Sequence, residues 1–456
     1  MEDNQFEDMT IIEKNCSDKL TEVLKVNSSQ REKEVAIKTS RSDRLLDSLM
    51  QRKRIVVTCA ILIVVMCLFK LGPKQAFLDH CVEYNLYPAI NKVFDGLIRS
   101  GEVTWKWTEM YQHAVGRSPL YTGIIELGLR TFGLTTFGIR IYIAIIWLLV
   151  YAVVFYTIRK YYSSTMAVLA VLLTLSAPWS LVMLRSGGAV SFGVILVTLT
   201  VCLWALMFLP EEKQPQSRIA RSIILVGGGI CTAILPYTYA GTRMFPILII
   251  LLTLISIKKL KIWNALQFFV PLLLIVSIQF FDISNALKSY FGARGEGLFD
   301  VAKAQSADDI WGFIIPKIGE NISYTFKYLL GLNQEEVFLN INLADSYAAV
   351  DVVLFPKFLV PFLWVGIILH IVHLFKKKKL KFLVPILFLG TSLIPGLMSG
   401  LGLPNLSRIA TSLPFIYYFI AYTFWQLFKL LDKIWDEAGK KVGIVTAGVL
   451  ICAVLA

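Results

Sequence analysis

The chain has 456 residues, of which 56% are hydrophobic, 17% charged and 12% aromatic, and its mean hydropathy is +0.64. Soluble globular domains are about 45–50% apolar and about 25% charged, so this composition excludes a soluble globular fold and also a disordered or collagenous chain. The net charge of +13 is no indication of nucleic-acid binding, because excess Lys and Arg in membrane proteins first mark cytoplasmic loops. We therefore expect an all-α polytopic membrane protein, with the lipid bilayer and no nucleic acid as partner.

Residues 1–54 precede the first apolar run and form the predicted cytoplasmic N-terminal tail. The tail contains equal numbers of acidic and basic side chains and ends in Arg52-Lys53-Arg54 beside the first span. A basic cluster at that place is typical of the cytoplasmic end of a span. The alternative to a passive tail is a segment that binds a partner protein. Residues 55–456 then form the transmembrane domain.

Eleven apolar runs follow the tail, most of them close to the roughly 20 residues that a membrane span needs. They lie near 55–71, 137–158, 164–184, 189–209, 222–238, 244–257, 263–281, 353–374, 381–398, 408–428 and 442–456. With the N-terminus inside, every connection that alternation places in the cytoplasm carries Lys or Arg, beginning with Arg159-Lys160. This asymmetry predicts a multi-pass protein of the cell membrane with about eleven transmembrane helices and a cytoplasmic N-terminus.

Two connections on the predicted extracytoplasmic side are long, from about 72 to 136 and from about 282 to 352. Loops of this length usually have a function. The first contains Trp105, Trp107 and Tyr111, and its sequence predicts helices around 88–99 and 119–132. Its aromatic side chains are either interface anchors or surfaces on which a sugar or lipid stacks.

Four arginines lie at the predicted outer ends of spans: Arg140, Arg185, Arg243 and Arg408. A charge at this depth is costly, and such residues usually face a bundle interior or a wet cavity. Arginine carries a permanent charge and binds phosphate through two parallel hydrogen bonds. The set therefore predicts a site for an anionic lipid head group, with ordinary snorkelling to the interface as the alternative.

The acids that could act as a general base toward an acceptor hydroxyl are concentrated in the two long loops. His80 and His113 are too few and too unpatterned to predict a metal site. The sequence gives no ligand set for a cofactor, so we expect none, and a requirement for a divalent metal stays open.

Several short motifs occur in a fixed order along the chain. They are Arg117-Ser118-Pro119-Leu120-Tyr121, Phe132-Gly133 before Arg140, Ser176-Ala177-Pro178-Trp179 before Arg185, Pro236-Tyr237-Thr238-Tyr239 before Arg243, and Pro404-Asn405 before Arg408. Over roughly residues 75–430 this order resembles the GT-C superfamily of polyprenyl-phosphate-dependent glycosyltransferases. That superfamily includes protein O-mannosyltransferases and aminoarabinose transferases.

The resemblance implies a GT-C-like bundle and a hexosyltransferase type of reaction at an extracytoplasmic active site. A sugar on a polyprenyl phosphate would be moved to an acceptor hydroxyl of a cell-envelope glycan, a lipid or a protein. It implies that Arg140, Arg185, Arg243 and Arg408 contact the donor phosphate. Three further residues are implied to shape the pocket: Arg117, Tyr121 and Tyr239.

The sequence departs from the family at the acid that members usually carry before a Ser-Gly element in the first loop. Ser100-Gly101 matches the element, but the acid position falls near Tyr87-Pro88. One alternative is that the loop is shifted and that Glu83 or Asp79 takes the place of this acid. The other is that the chain keeps the lipid site without the transfer chemistry. The rival functions are accordingly a non-catalytic, polymerase-like or flippase-like handler of lipid-linked glycans, and an assembly partner that acts through its tail.

Overall fold

The computed structural model describes residues 119–133, 136–177, 180, 189–215, 217–279, 310–332, 356–377, 380–398 and 409–438. Within these ranges the chain forms α-helices and short 3-10 turns, without a β-strand. The α-helices are α1 (Pro119–Phe132), α2 (Thr136–Tyr161), α3 (Ser164–Ser176), α4 (Ala189–Met207), α5 (Arg218–Ile234), α6 (Met244–Ile255), α7 (Ile262–Gln279), α8 (Ile310–Leu329), α9 (Val360–Lys377), α10 (Val384–Leu397) and α11 (Leu413–Ala438).

The predicted helical character is confirmed for the described residues. Helix α1 coincides with the helix expected at 119–132, and nine predicted apolar runs between 137 and 428 each contain or overlap a helix. The stretch 222–257 forms α5 and α6, which are joined through 3-10 turns at Leu235–Tyr237 and Ala240–Thr242. The tail 1–54, the runs 55–71 and 442–456, and the helix expected at 88–99 lie outside the described residues.

Four stretches in the described part of the chain are long and apolar enough to cross a bilayer: Arg140–Tyr161, Val190–Met207, Arg218–Tyr237 and Lys357–Lys376. Helices α3, α6, α7 and α10 are apolar but shorter. Large side chains such as Leu251, Trp263 and Leu273 are exposed on α6 and α7, where contact with acyl chains explains them better than contact with water. The chain is a multi-pass membrane protein.

The cationic residues separate the two ends of the bundle. Helices α2, α4, α6 and α11 all begin at one end of the bundle. We call it the arginine end, because Arg140 lies in α2 and Arg243 lies directly before α6. We call the lysine end the opposite end, where α2 finishes in Arg159-Lys160 and Lys213 donates a hydrogen bond to the Lys160 carbonyl. Serine caps begin two helices here, since Ser163 and Ser217 accept from the backbone N–H of Met166 and Ala220.

Helices α4 and α11 hold much of the buried core, and polar cross-links and close backbone contacts fix their neighbours. The Trp147 indole on α2 donates to Ser191 on α4 at 2.9 Å, and the Trp204 indole on α4 donates to Thr253 on α6 at 2.9 Å. Gly229 on α5 faces the carbonyl of Phe268 on α7, where a Cβ atom would clash. Small residues thus allow membrane helices to approach closely.

Replacing Ser191 by alanine should destabilise the contact between α2 and α4. Both Trp147 and Ser191 are fully buried, so the substitution leaves the indole N–H without its acceptor. Leaving a buried donor unsatisfied costs about 1–3 kcal/mol. We expect a lower thermal midpoint for detergent-solubilised Ser191→Ala, and no comparable change for Ser323→Ala, whose side chain is exposed on α8. Equal midpoints for the two variants would contradict this role of Ser191.

Candidate functional site

The first turn of α4 organises the arginine end. Three consecutive residues there each face a different element. The Ser191 hydroxyl accepts from Trp147 on α2, and the Phe192 ring lies 6.1 Å from the ring of Tyr121 on α1. The Cα of Gly193 faces Tyr239 and Thr242, and a Cβ atom there would approach both side chains to about 3 Å. Tyr121, predicted as a pocket residue, and Tyr239, predicted with it, thus contact the same turn of α4.

A compact hydroxyl-bonded turn precedes Arg243. The Thr238 and Thr242 hydroxyls lie 3.0 Å apart, at 2.8 Å and 2.5 Å from the carbonyl oxygen of Leu235. Both threonines are buried. These bonds satisfy polar groups whose burial without a hydrogen-bond partner would cost free energy. They also hold the chain between α5 and α6 in one conformation. The turn therefore fixes the backbone of Arg243, whose side chain is half-buried.

Arg140 is the fifth residue of α2 and its side chain is only 1% exposed. Helix α1 packs against this part of α2 so closely that a Cβ atom on Gly128 would clash with the Gly138 carbonyl. The burial of Arg140 is a property of the tertiary structure, since its position at the start of an apolar run equally allows snorkelling. The buried position of Arg140 favours the interior site over the exposed position that snorkelling predicts.

Two of the four arginines predicted to contact the phosphate are described, and both lie close to the start of a helix. Arg243 directly precedes the first residue of α6, and Arg140 lies near the start of α2. The partial positive charge of a helix N-terminus favours anions and disfavours cations. Arg243 therefore gains no stability from its place directly before α6, whereas an anion there would be attracted both by the arginine and by the helix terminus.

The start of α11 closes the same end of the bundle. The turn Ala410–Ser412 packs against α4, α10 and the turn Ala240–Thr242. Ile409, Thr411 and Ser412 are completely buried, and Ile409 lies against Gly396 at the end of α10. Buried hydroxyls thus line the start of α11, which the sequence analysis did not anticipate.

Four of the predicted site residues lie in the described part of the chain, all at the arginine end: Arg140, Arg243, Tyr121 and Tyr239. The other five lie outside the described residues: Arg185, Arg408, Arg117, Glu83 and Asp79. The structure thus places two of the four arginines and two of the three pocket residues at one end of the bundle, and the predicted site as a whole stays a prediction.

A second polar cluster lies deeper in the bundle, toward the lysine end, and includes His370 and His373. His370 Nε2 lies 3.0 Å from the Tyr418 hydroxyl, which lies 2.6 Å from the Tyr162 hydroxyl. His373 Nδ1 lies 2.9 Å from the Tyr422 hydroxyl. Burial raises the pKa of Tyr162 above its usual range, so this phenol stays protonated and hydrogen-bonded. The cluster joins α9 and α11 to the start of α3.

Comparisons with known proteins give one distant structural likeness. No protein-family model matches the chain, and no curated protein matches it. The structure of the chain is similar to the crystal structure of ArnT from Cupriavidus metallidurans bound to undecaprenyl phosphate. The sequences are 13% identical, the match covers 80% of this chain and 76% of that chain, and the TM-score is 0.36. A likeness at this level assigns no residue and establishes no family for the chain.

Proposed function

We propose that the protein is an integral membrane glycosyltransferase of GT-C type. It moves a sugar from a polyprenyl-phosphate-linked donor to an acceptor hydroxyl on the extracytoplasmic side of the membrane. The observation that carries the proposal is the buried guanidinium of Arg140 at the same end of the bundle as Arg243. Arg243 directly precedes the first residue of α6, and a helix N-terminus favours a phosphate and disfavours a cation by itself.

The reaction needs an anion site because its leaving group is a phosphate. The acceptor oxygen forms a bond to the anomeric carbon as the bond from that carbon to the donor phosphate breaks. The phosphate leaves with the electron pair, and fixed cations stabilise its developing charge. We assign this role to Arg140 and Arg243, and propose Arg185 and Arg408 as further contacts.

The acceptor hydroxyl must lose its proton during the transfer, which requires a general base. We propose Glu83 or Asp79 for this role on the basis of the first-loop motif. Tyr121 and Tyr239, which contact the first turn of α4, are proposed with Arg117 to line the pocket for the donor.

The first test measures binding of undecaprenyl phosphate to the purified protein by native mass spectrometry. A hydrogen bond to a charged group contributes roughly 1.5–3 kcal/mol, so we expect Arg243→Gln to weaken binding about 10- to 100-fold. The matched control is Arg159→Gln, which removes an exposed arginine at the lysine end and should leave affinity unchanged. Equal affinities of Arg243→Gln and wild type would contradict the proposed phosphate contact.

Transfer assays separate catalysis from binding. Membranes that contain wild-type protein should move a labelled sugar from a polyprenyl-phosphate donor to a membrane acceptor. Binding of the donor lipid without any transfer would favour the non-catalytic handling of lipid-linked glycans. The two functions differ in whether an acid of the first loop acts as a general base, because the arginines bind the lipid phosphate in both.

A further inference from the structure

One face of α11 carries a row of aromatic and basic side chains that leads to the lysine end of the bundle. Tyr418, Tyr422, Trp425 and Lys429 follow one another at spacings of four, three and four residues, which places them on one side of a helix. We call these four residues the α11 stripe. The Tyr162 ring, just before α3, lies between 5.5 and 6.2 Å from the three aromatic rings of the stripe. The stripe thus packs against the connection between α2 and α3.

Two half-buried lysines lie over neighbouring rings of this cluster. Lys429 Nζ lies 3.6 Å from the centroid of the Trp425 ring, and Lys381 Nζ lies 5.2 Å from the centroid of the Tyr162 ring. The Tyr162 and Trp425 rings meet edge to face, with their centroids 5.5 Å apart. Cation–π attraction holds both ammonium groups at this pair of rings. The two positive charges repel each other, and an anion between them would offset that repulsion.

The Trp425 indole N–H is buried and has no hydrogen-bond partner in the described part of the chain. The indoles of Trp147, Trp204 and Trp364, by contrast, each donate to an acceptor. Only 7% of the Trp425 side chain is exposed, and a buried donor without an acceptor costs free energy. The Lys429 ammonium over the same ring is itself a donor and cannot satisfy the indole. Trp425 therefore requires an acceptor that its cationic neighbour does not supply.

Two helices begin where these side chains meet. Tyr162 lies two residues before the first residue of α3, and Lys381 lies three residues before the first residue of α10. The partial positive charge of a helix N-terminus attracts an anion. A phosphate held by Lys381 would therefore also be stabilised by the starts of α3 and α10.

Exposed apolar side chains surround this cluster on the outside of the bundle. Leu427 and Leu430, which flank Lys429 along α11, have exposed fractions of 38% and 54%, and Phe375 near the end of α9 has an exposed fraction of 74%. Contact with acyl chains explains such exposure better than contact with water. A ligand that combines a phosphate with apolar tails therefore fits this place better than a small anion.

We propose that the lysine end binds the phosphate of an anionic phospholipid between Lys381 and Lys429, with the Trp425 N–H donating to a phosphate oxygen. Basic pockets between membrane helices bind lipid head groups in this way. The Lys429 side chain has a flexible four-carbon stem, and its movement off the ring admits the head group. The ligand is a phosphate diester such as that of phosphatidylglycerol. This inference does not depend on the proposed transferase activity, whose donor site lies at the arginine end.

Native mass spectrometry of the full-length protein in detergent measures the binding. The ligands tested are phosphatidylglycerol, phosphatidylcholine and inorganic phosphate, so an anionic lipid is distinguished from a zwitterionic lipid and from a free phosphate. Trp425→Phe keeps an aromatic ring and removes the N–H, and Lys429→Gln removes the positive charge. The matched controls are Trp263→Phe and Lys258→Gln, which make the same chemical changes at exposed positions close to the start of α7.

We expect phosphatidylglycerol to bind more tightly than phosphatidylcholine. Trp425→Phe and Lys429→Gln should each weaken its binding about tenfold, which is the loss expected for one hydrogen bond to a charged group. The two control variants should bind like the wild type. Thermal midpoints identify a variant that fails to fold, and the other variant then decides the outcome.

Unchanged affinity in either folded variant would overturn the proposal, because another part of the chain then supplies the acceptor for the indole. Equal affinities for the two lipids would overturn it as well, since the phosphate charge would then not be recognised. Binding of inorganic phosphate without binding of phosphatidylglycerol would show that the ligand is a free phosphate and not a lipid.

Discussion

Replacing Arg140 by methionine is expected to lower the rate of sugar transfer by about 10²–10³-fold. Removal of one group that stabilises developing negative charge in a preorganised site typically costs that factor in kcat. Methionine keeps the unbranched apolar stem of the side chain and removes only the guanidinium. The measurement is the initial rate of transfer of a labelled sugar from a polyprenyl-phosphate donor in reconstituted membranes.

Two further variants show whether charge or geometry matters at this position. Arg140→Lys keeps a positive charge but loses the planar fork that binds phosphate through two hydrogen bonds, so its rate should lie between those of wild type and Arg140→Met. Arg159→Met makes the same chemical change near the other end of α2 and should leave the rate unchanged. Thermal midpoints measured in parallel separate a catalytic loss from unfolding. Transfer by a folded Arg140→Met protein at the wild-type rate would refute the assignment.

Replacing Gly366 by valine should destabilise the contact between α9 and α11 more than any other single change considered above. A Cβ atom at Gly366 would clash with the Phe419 carbonyl and approach the Thr423 hydroxyl to 2.9 Å. That hydroxyl lies 2.6 Å from the carbonyl of Phe362 and links the two helices. Overpacking a close contact costs about 1–3 kcal/mol and occasionally more, and here the backbones themselves must separate. We expect about 3 kcal/mol of destabilisation.

The matched control is Gly390→Val on α10. A Cβ atom at Gly390 meets no atom within 4 Å, so the two variants share the change in helix propensity and differ in the clash. Thermal unfolding of both proteins in the same detergent gives the difference. If Gly366→Val retains the midpoint of Gly390→Val, the close approach of α9 and α11 is not required for stability. The hydrogen bond between His370 and Tyr418 joins the same pair of helices. Separation of α9 and α11 in Gly366→Val should therefore also weaken this bond.

The positions of the helices could be predicted because hydropathy and span length are local properties of the chain. The apolar run at 189–209 becomes α4, and the run at 263–281 becomes α7, each with ends within a few residues. Helix α1 was also predicted, although it lies in a connection and not in a span. Its signals, Pro119 at the first helical position and Gly133 after the last, are local as well.

The arginine positions were equally visible in the sequence, because a cation that interrupts an apolar run is conspicuous. The sequence did not distinguish a guanidinium that reaches the interface from one that is buried, since Arg140 and Arg243 both begin an apolar stretch. That distinction depends on α1 packing over the first turns of α2 and on the turn that holds Arg243. The base could not be evaluated in the same way, as Glu83 and Asp79 lie outside the described residues.

For the described residues, the sequence by itself determined the helical, membrane-spanning character and the positions of every helix except α8, which lies in the predicted outer loop 282–352. The tertiary structure decided which residues distant in sequence meet. It joins Tyr121 to Phe192 and buries Arg140. It also joins α8 to the last residue of α10 through Asn321 and to α9 through Trp364. The physical reason is that hydropathy acts residue by residue along the chain, whereas burial and close packing require partners that only the folded chain supplies.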